Sequence, residues 1–278
     1  PGPPDIVNKR ATKLPIHYLP KHPFPVGHPD LRDKNEVEGV MQRRDEATIR
    51  NEKGKEFAVI EEIDNQIGRV IKRLKSSGEL DNTYIIFTSD HGIAVGKHGL
   101  MGKQNLYQHS LKVPFIVSGP NVEKQSSSKG NIYLLDLLPT LCDLANIEIP
   151  DSVDGKSFKQ VLFGEQQTIR DVLYGAYSGG TKPGIRAVIK GDWKLIKYDV
   201  LEGKVRKNQL FNIKENPNEL LLEHHQQGII QLTGNKPSSN QINLAEDPKY
   251  SDKLKEMEKL LFSEMEKVGD PFRFWNQN

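Results

Sequence analysis

The chain of 278 residues carries 39 lysines and arginines against 37 aspartates and glutamates, a formal net charge of +2, with 36% hydrophobic residues and a single cysteine. That balance leaves no global electrostatic case for nucleic acid as a partner, and no apolar run is long enough for a membrane span. Cys142 alone excludes an internal disulfide framework and a multi-cysteine zinc site, while the length allows one sizeable core or two smaller ones.

The sequence opens Pro1-Gly2-Pro3-Pro4 without an initiator methionine or a signal peptide, so its start reads as truncated or processed. Residues 1 to about 50 are rich in proline and then in charge, which leaves little room for regular helix. His17, His22 and His28 fall in this stretch with no apolar strand to place them, and they read as loop-packing or solvated residues. Over 56–77 the pattern turns helical: Phe57, Ile60, Ile63, Ile67, Val70, Ile71 and Leu74 recur at steps of three and four, and Ser76-Ser77-Gly78 ends the run. Residues 84–87 then form a short β-branched and aromatic run, read as a central strand covered on both faces. The loop that follows is glycine-rich at Gly92, Gly96, Gly99 and Gly102, without the spacing of a phosphate-binding loop. A second strand is expected at 113–117, a surface loop at 122–130, and a buried helix at 132–145 in which Pro139 starts or kinks the regular part. Within that helix Asp136 requires a hydrogen-bonding partner, and Cys142 reads as a buried structural thiol.

Beyond Phe163 short strand-like runs at 172–177, 185–189, 193–198 and 209–213 suggest an antiparallel sheet. An irregular insertion is expected at 223–240, and a helix at 250–268 should pack on the sheet through Leu254, Met257, Leu260, Leu261 and Met265. The aromatic tail at 271–275 suggests docking against the body. Tyr177, Arg186 and Lys194 are candidates for the mouth of an active site.

Chemistry concentrates where the first strand ends. In open parallel sheets ligands bind at the carboxyl ends of the strands, and there Asp90 and His91 present a carboxylate and an imidazole, with Gly92 expected to allow a sharp turn. Such a pair suits a divalent cation, and calcium, magnesium, manganese and zinc all remain open. Taken alone, the tripeptide reads better as a strand-to-loop turn in which Asp90 caps backbone amides and His91 is solvated.

The longer string changes that reading. Ser89-Asp90-His91-Gly92, Gly96-Lys97-His98-Gly99-Leu100, Gly102-Lys103, Leu106-Tyr107 and Val113-Pro114-Phe115-Ile116-Val117 together resemble the metal- and sulfate-binding segment of the type I sulfatases, within the alkaline phosphatase superfamily. Residues 134–141 resemble the helix that follows in those enzymes, and 186–198 with 209–220 resemble their small C-terminal subdomain. The resemblance implies an α/β fold: a mixed, largely parallel sheet flanked by helices over 1–165, incomplete, and a small antiparallel α+β subdomain over 166–278. It implies hydrolysis of a small-molecule or carbohydrate sulfate ester to alcohol and inorganic sulfate, with Asp90 and His91 as metal ligands and Lys103 as the catalytic lysine on the sulfate. His98 either binds substrate or pins the loop. The metal implied is calcium. Also implied are a formylglycine nucleophile and a periplasmic, secreted or lysosomal location. No Cys/Ser-x-Pro-x-Arg motif occurs here, and neither the paired aspartates nor the catalytic histidine of the family is recognisable. The resemblance therefore implies an N-terminally truncated part, inactive alone, with an exposed apolar edge. Two alternatives accompany it: a phosphonate or phosphodiester hydrolase of the same superfamily, and an inactive metal- or anion-binding remnant.

Overall fold

A computed structural model describes residues 13–26, 43–178 and 182–277; His28 and the opening prolines lie outside them. In chain order the elements are α1 (Glu46–Ser76), β1 (Ile85–Thr88), α2 (Gln108–Leu111), β2 (Phe115–Ser118), α3 (Leu137–Ala145), α4 (Lys159–Leu162), β3 (Val172–Tyr177), β4 (Gly184–Lys190), β5 (Trp193–Val200), β6 (Val205–Asn212), α5 (Gln227–Thr233) and α6 (Ser251–Lys267). They fall into two compact units that interleave along the chain. One holds Pro1–Gln66, His91–Lys112 and Tyr174–Asn278, the other Ile67–Asp90 and Val113–Leu173. This division differs from a single break near 165, because the loop bearing Lys103 groups with the C-terminal sheet.

In the first unit the sheet runs in the order β3-β4-β5-β6, and β5 pairs antiparallel with both β4 and β6. Side chains alternate faces along a strand, and β5 is covered on both. Lys197 on one face reaches Glu258 of α6 at 2.6 Å, and α6 buries Met257, Leu261 and Met265 while packing on β4 and β5. On the other face Ile196, Tyr198 and Val200 join Ile185, Ala187 and Phe211 in a core completed by Leu106 and Tyr107 from the glycine-rich loop. Lys194 shares the parity of Ile196 and so belongs to this loop-facing side. The tail docks as expected: Phe274 is buried, and the Lys197 ammonium lies 3.8 Å from the Trp275 ring centre. The stretch expected to be irregular contains α5, closed by Gly234 in the left-handed conformation at φ 67°.

Helix α1 begins well before residue 56 because Asp45 caps it. The Asp45 carboxylate accepts from the Thr48 amide at 2.9 Å and from the Thr48 hydroxyl at 2.8 Å. Its first turns carry few apolar residues, so periodicity did not register them. The expected apolar stripe is largely uncovered, with Phe57, Ile60, Ile63, Val70 and Ile71 exposed, while Ile49 and Ala58 are buried.

In the second unit β1 and β2 pair antiparallel, Ile86 opposite Val117. The expectation of parallel neighbours is not met by these two strands. A long connection permits either direction, and apolar runs carry no information about it. Nor is β1 covered on both faces, since Phe87 is exposed. The helical run at 132–145 resolves into a short 3-10 turn, Leu134–Asp136, followed by α3. Only Pro139 and Thr140 of α3 are buried, and Leu134, Leu135, Leu138 and Leu141 are exposed. Cys142 is half-buried. Periodicity identifies an apolar face but not what covers it. Asp136 finds the partners it needs: its buried carboxylate accepts from the amides of Tyr133 at 2.6 Å and Lys156 at 2.8 Å and from the Arg170 guanidinium.

Candidate active site

The loop bearing the candidate residues is built from short backbone hydrogen bonds and close approaches. Gly92 is needed for space: a Cβ there would lie 1.9 Å from the His109 carbonyl oxygen. The Gly92 amide donates to the Ser110 carbonyl at 2.9 Å. Close approach, and not a sharp turn, is thus what the glycine of Asp-His-Gly provides. Gly96 and Gly99 do adopt left-handed backbone, at φ 87° and 71°. Around Lys103, the Ala94 amide donates to the Gly102 carbonyl at 3.1 Å and the Asn105 amide to the Lys103 carbonyl at 2.8 Å. Buried Asn105 also accepts from the Tyr107 amide at 3.2 Å.

This framework places the Lys103 ammonium 2.5 Å from Nε2 of His91. His91 Nδ1 lies 3.0 Å from the Gly92 carbonyl, an arrangement in which Nδ1–H donates and Nε2 keeps its lone pair. Metal-bound histidines are commonly oriented in this way. Asp90, with an exposed side chain, accepts from the Ser89 hydroxyl at 3.4 Å. Carboxylate oxygen and imidazole nitrogen fit a divalent cation chemically. Among the described residues, however, no three histidine, cysteine, aspartate or glutamate side chains form a cluster that could hold a metal.

His98 is fully buried. Its Nε2 lies 2.9 Å from the Glu219 carbonyl, and its ring stacks on Tyr107 at 4.0 Å between centres. Of the two roles expected from the sequence, this geometry fits the pin: a side chain without exposed surface does not meet a substrate unless the loop opens. The neighbourhood is a nest of imidazoles, with His17, His109 and His224 each within 5.4 Å of His98 ring centre to ring centre. His22 lies 3.0 Å from the Tyr107 hydroxyl. Burial lowers all of their proton affinities, that of His17 to about 3 and that of His22 to about 4, and neighbouring charges add to the effect. His17 and His22 are therefore packing residues, as the sequence suggested.

The residues proposed for the mouth do other work. Arg186 is buried and pairs with Asp270 at 2.6 Å, Lys194 is buried and pairs with Glu219, and Tyr177 packs against the sheet core. Sequence reasoning did not single out Glu219. The available signal was an acidic residue between the turn residues Asn216-Pro217-Asn218 and the apolar Leu220-Leu221-Leu222.

Known proteins resemble this chain in sequence and fold. The sulfatase family model matches residues 14–147, and the model described as N-sulphoglucosamine sulphohydrolase, C-terminal, matches 96–235, half of the chain. An arylsulfatase of Clostridium perfringens is 30% identical over 241 residues, covering 84% of this chain and 44% of its own length. The chain thus spans less than half of that relative. Among solved structures, BT4656 in complex with its substrate D-glucosamine-2-N,6-O-disulfate superimposes with a TM-score of 0.65 at 25% identity, over 87% of this chain and 44% of that one. A phosphonate monoester hydrolase from Silicibacter pomeroyi shares the fold, with a TM-score of 0.62 at 22% identity over 80% of this chain and 42% of that one. No described helix is long and apolar enough to cross a membrane. The sulfatase model covers the loop and the C-terminal model runs from Gly96 through the sheet, and the chain belongs to the type I sulfatases of the alkaline phosphatase superfamily.

Proposed function

We propose that this chain supplies the anion- and cation-binding loop of a sulfatase that hydrolyses a carbohydrate or small-molecule sulfate ester to alcohol and inorganic sulfate. The observation that carries this reading is the Lys103 ammonium held 2.5 Å from His91 Nε2 on a loop tied at both flanks. The ammonium, exposed on that loop, neutralises charge on the sulfate and on the leaving oxygen as the ester bond breaks. With the Lys103 ammonium turned from Nε2 toward the sulfate, the carboxylate of Asp90 and the freed Nε2 of His91, consecutive in the chain, would contribute two ligands to a divalent cation, calcium by family likeness. Bound there, such a cation polarises sulfate oxygens. No Cys/Ser-x-Pro-x-Arg motif for the family's formylglycine nucleophile occurs among these 278 residues. Fold likeness alone links the chain to phosphonate monoester hydrolases, whereas sulfatases supply the family models.

The test uses the native protein carrying this sequence, with 4-nitrophenyl sulfate and a 4-nitrophenyl phosphonate ester compared at equal concentration. Sulfate is expected to turn over faster. Lys103→Ala should lower that rate by about 100-fold with the metal content unchanged, and Asp90→Ala should lower both the metal content and the rate. An unchanged rate in Lys103→Ala removes it from the site, and full metal content in Asp90→Ala removes that ligand.

A further inference from the structure

We propose that Glu219, held by Lys194, is a positioning residue for Lys103: one side chain and one carbonyl from the C-terminal subdomain clamp both flanks of the loop that carries the catalytic ammonium. This inference rests on the sulfatase reading for its catalytic consequence and on geometry alone for the clamp.

Lys103 lies midway between two residues that Glu219 holds. On one side His98 Nε2 lies 2.9 Å from the Glu219 carbonyl. On the other the Gln108 amide donates to Glu219 Oε2 at 2.5 Å, where α2 begins. Between these anchors the bonds at Gly102 and Asn105 leave the Lys103 backbone little freedom.

Glu219 is itself fixed. Its amide donates to the Asn216 carbonyl at 3.0 Å, and its backbone is left-handed at φ 53°, a conformation that a non-glycine residue keeps only where its surroundings over-determine it. Asn216, also buried, closes the turn by accepting from the Leu220 amide at 2.8 Å and donating to the Leu220 carbonyl at 3.0 Å. The remaining carboxylate oxygen takes the ammonium of Lys194, which stands on the loop-facing side of β5. A rigid strand thereby sets the carboxylate, and the carboxylate sets the loop. A buried ion pair stabilises a fold little more than an apolar pair of similar size. What this pair adds is an acceptor at a defined place for Gln108.

Neutral double variants separate the two roles, because removing one charge alone would leave the other buried and unpaired. Lys194→Met/Glu219→Gln keeps an acceptor for the Gln108 amide, and Lys194→Met/Glu219→Leu removes it. At matched melting temperatures, the leucine variant is expected to exchange the Gln108 amide at least about 10-fold faster than the glutamine variant. Its kcat on 4-nitrophenyl sulfate should be about 10-fold lower, the scale of loss expected when a catalytic group is slightly misplaced. Gln108→Pro approaches the same bond from the donor side and leaves the ion pair intact. Proline suits a first helical position, and the preceding Tyr107 is already extended at φ −70°, ψ 159°. A similar fall in kcat is expected there. Equal Gln108 exchange in the two double variants overturns the clamp, and an unchanged kcat in Gln108→Pro overturns its catalytic consequence. If the parent protein turns over no sulfate ester, the sulfatase reading fails, and the exchange contrast alone then upholds or overturns the clamp.

Discussion

The two units use apolar residues in opposite ways. In the first, β4, β5 and the Leu106–Tyr107 segment bury their side chains almost completely, including lysines and an arginine that have found carboxylates. In the second, α3 exposes Leu138 and Leu141, and β2 exposes Ile116, while order depends on polar joints such as Asp136 with Tyr133, Lys156 and Arg170. The difference teaches that similar apolar patterning does not imply a similar degree of closure. Where facing elements lie close in the fold, the pattern becomes a core; where they do not, it remains a surface suited to association.

Acid should separate the units most strongly. The nested histidines of the first unit have proton affinities below the ordinary 6.5, with values of about 3 for His17 and about 4 for His22. The unfolded chain therefore takes up protons first as pH falls. The stabilisation from neutral burial is whole above about pH 6.5 and is lost progressively toward pH 3 to 4, at about 1.4 kcal/mol per pH unit for each histidine that stays neutral when folded. With several histidines acting together, the melting temperature should fall steeply between pH 6.5 and pH 4. A flat profile would show that the nest is solvated.

Phe211→Ala, in the core shared by sheet and loop, should cost about 4 kcal/mol in denaturant titrations followed by near-UV circular dichroism. A cost below about 1 kcal/mol would mean the core relaxes or is wet. Asp136→Ala leaves two amides and a guanidinium without their acceptor and should cost about 3 kcal/mol, read in the same titration. The smallest effect is expected for Leu138→Ser, within about 0.5 kcal/mol. That substitution should nonetheless reduce self-association in light scattering, because it removes exposed apolar surface. A large loss of stability on Leu138→Ser would show that α3 is covered after all, and the contrast between the units would then disappear.

Much of the first unit was legible because its signals are local. Short strand-like runs separated by turn residues placed β3 to β6 to within a few residues, and the spacing from Leu254 to Met265 placed α6. Asp90, His91 and Lys103 stood out because they sit in a long ordered string, not because any one of them is distinctive. Less legible were the start of α1, where a single capping aspartate outweighs a run of charge, and the purpose of Gly92, which depends on a carbonyl from a later turn. His98 had two open roles, and its burial beside the Glu219 carbonyl fits the pin.

By itself the sequence determined the strands, the long helices α1, α3 and α6, the family-like string around Asp-His-Gly and the candidate ammonium, since periodicity, turn chemistry and motif order are properties of neighbouring residues. The tertiary structure decided the direction of β2 against β1, the exposure of α1 and α3, the burial of His98 and the contacts of Glu219 with both flanks of the Lys103 loop. Those depend on residues far apart in the chain, Glu219 from Gln108 and Lys194 from Glu219, whose meeting is set by backbone geometry and burial and leaves no periodic mark in the sequence.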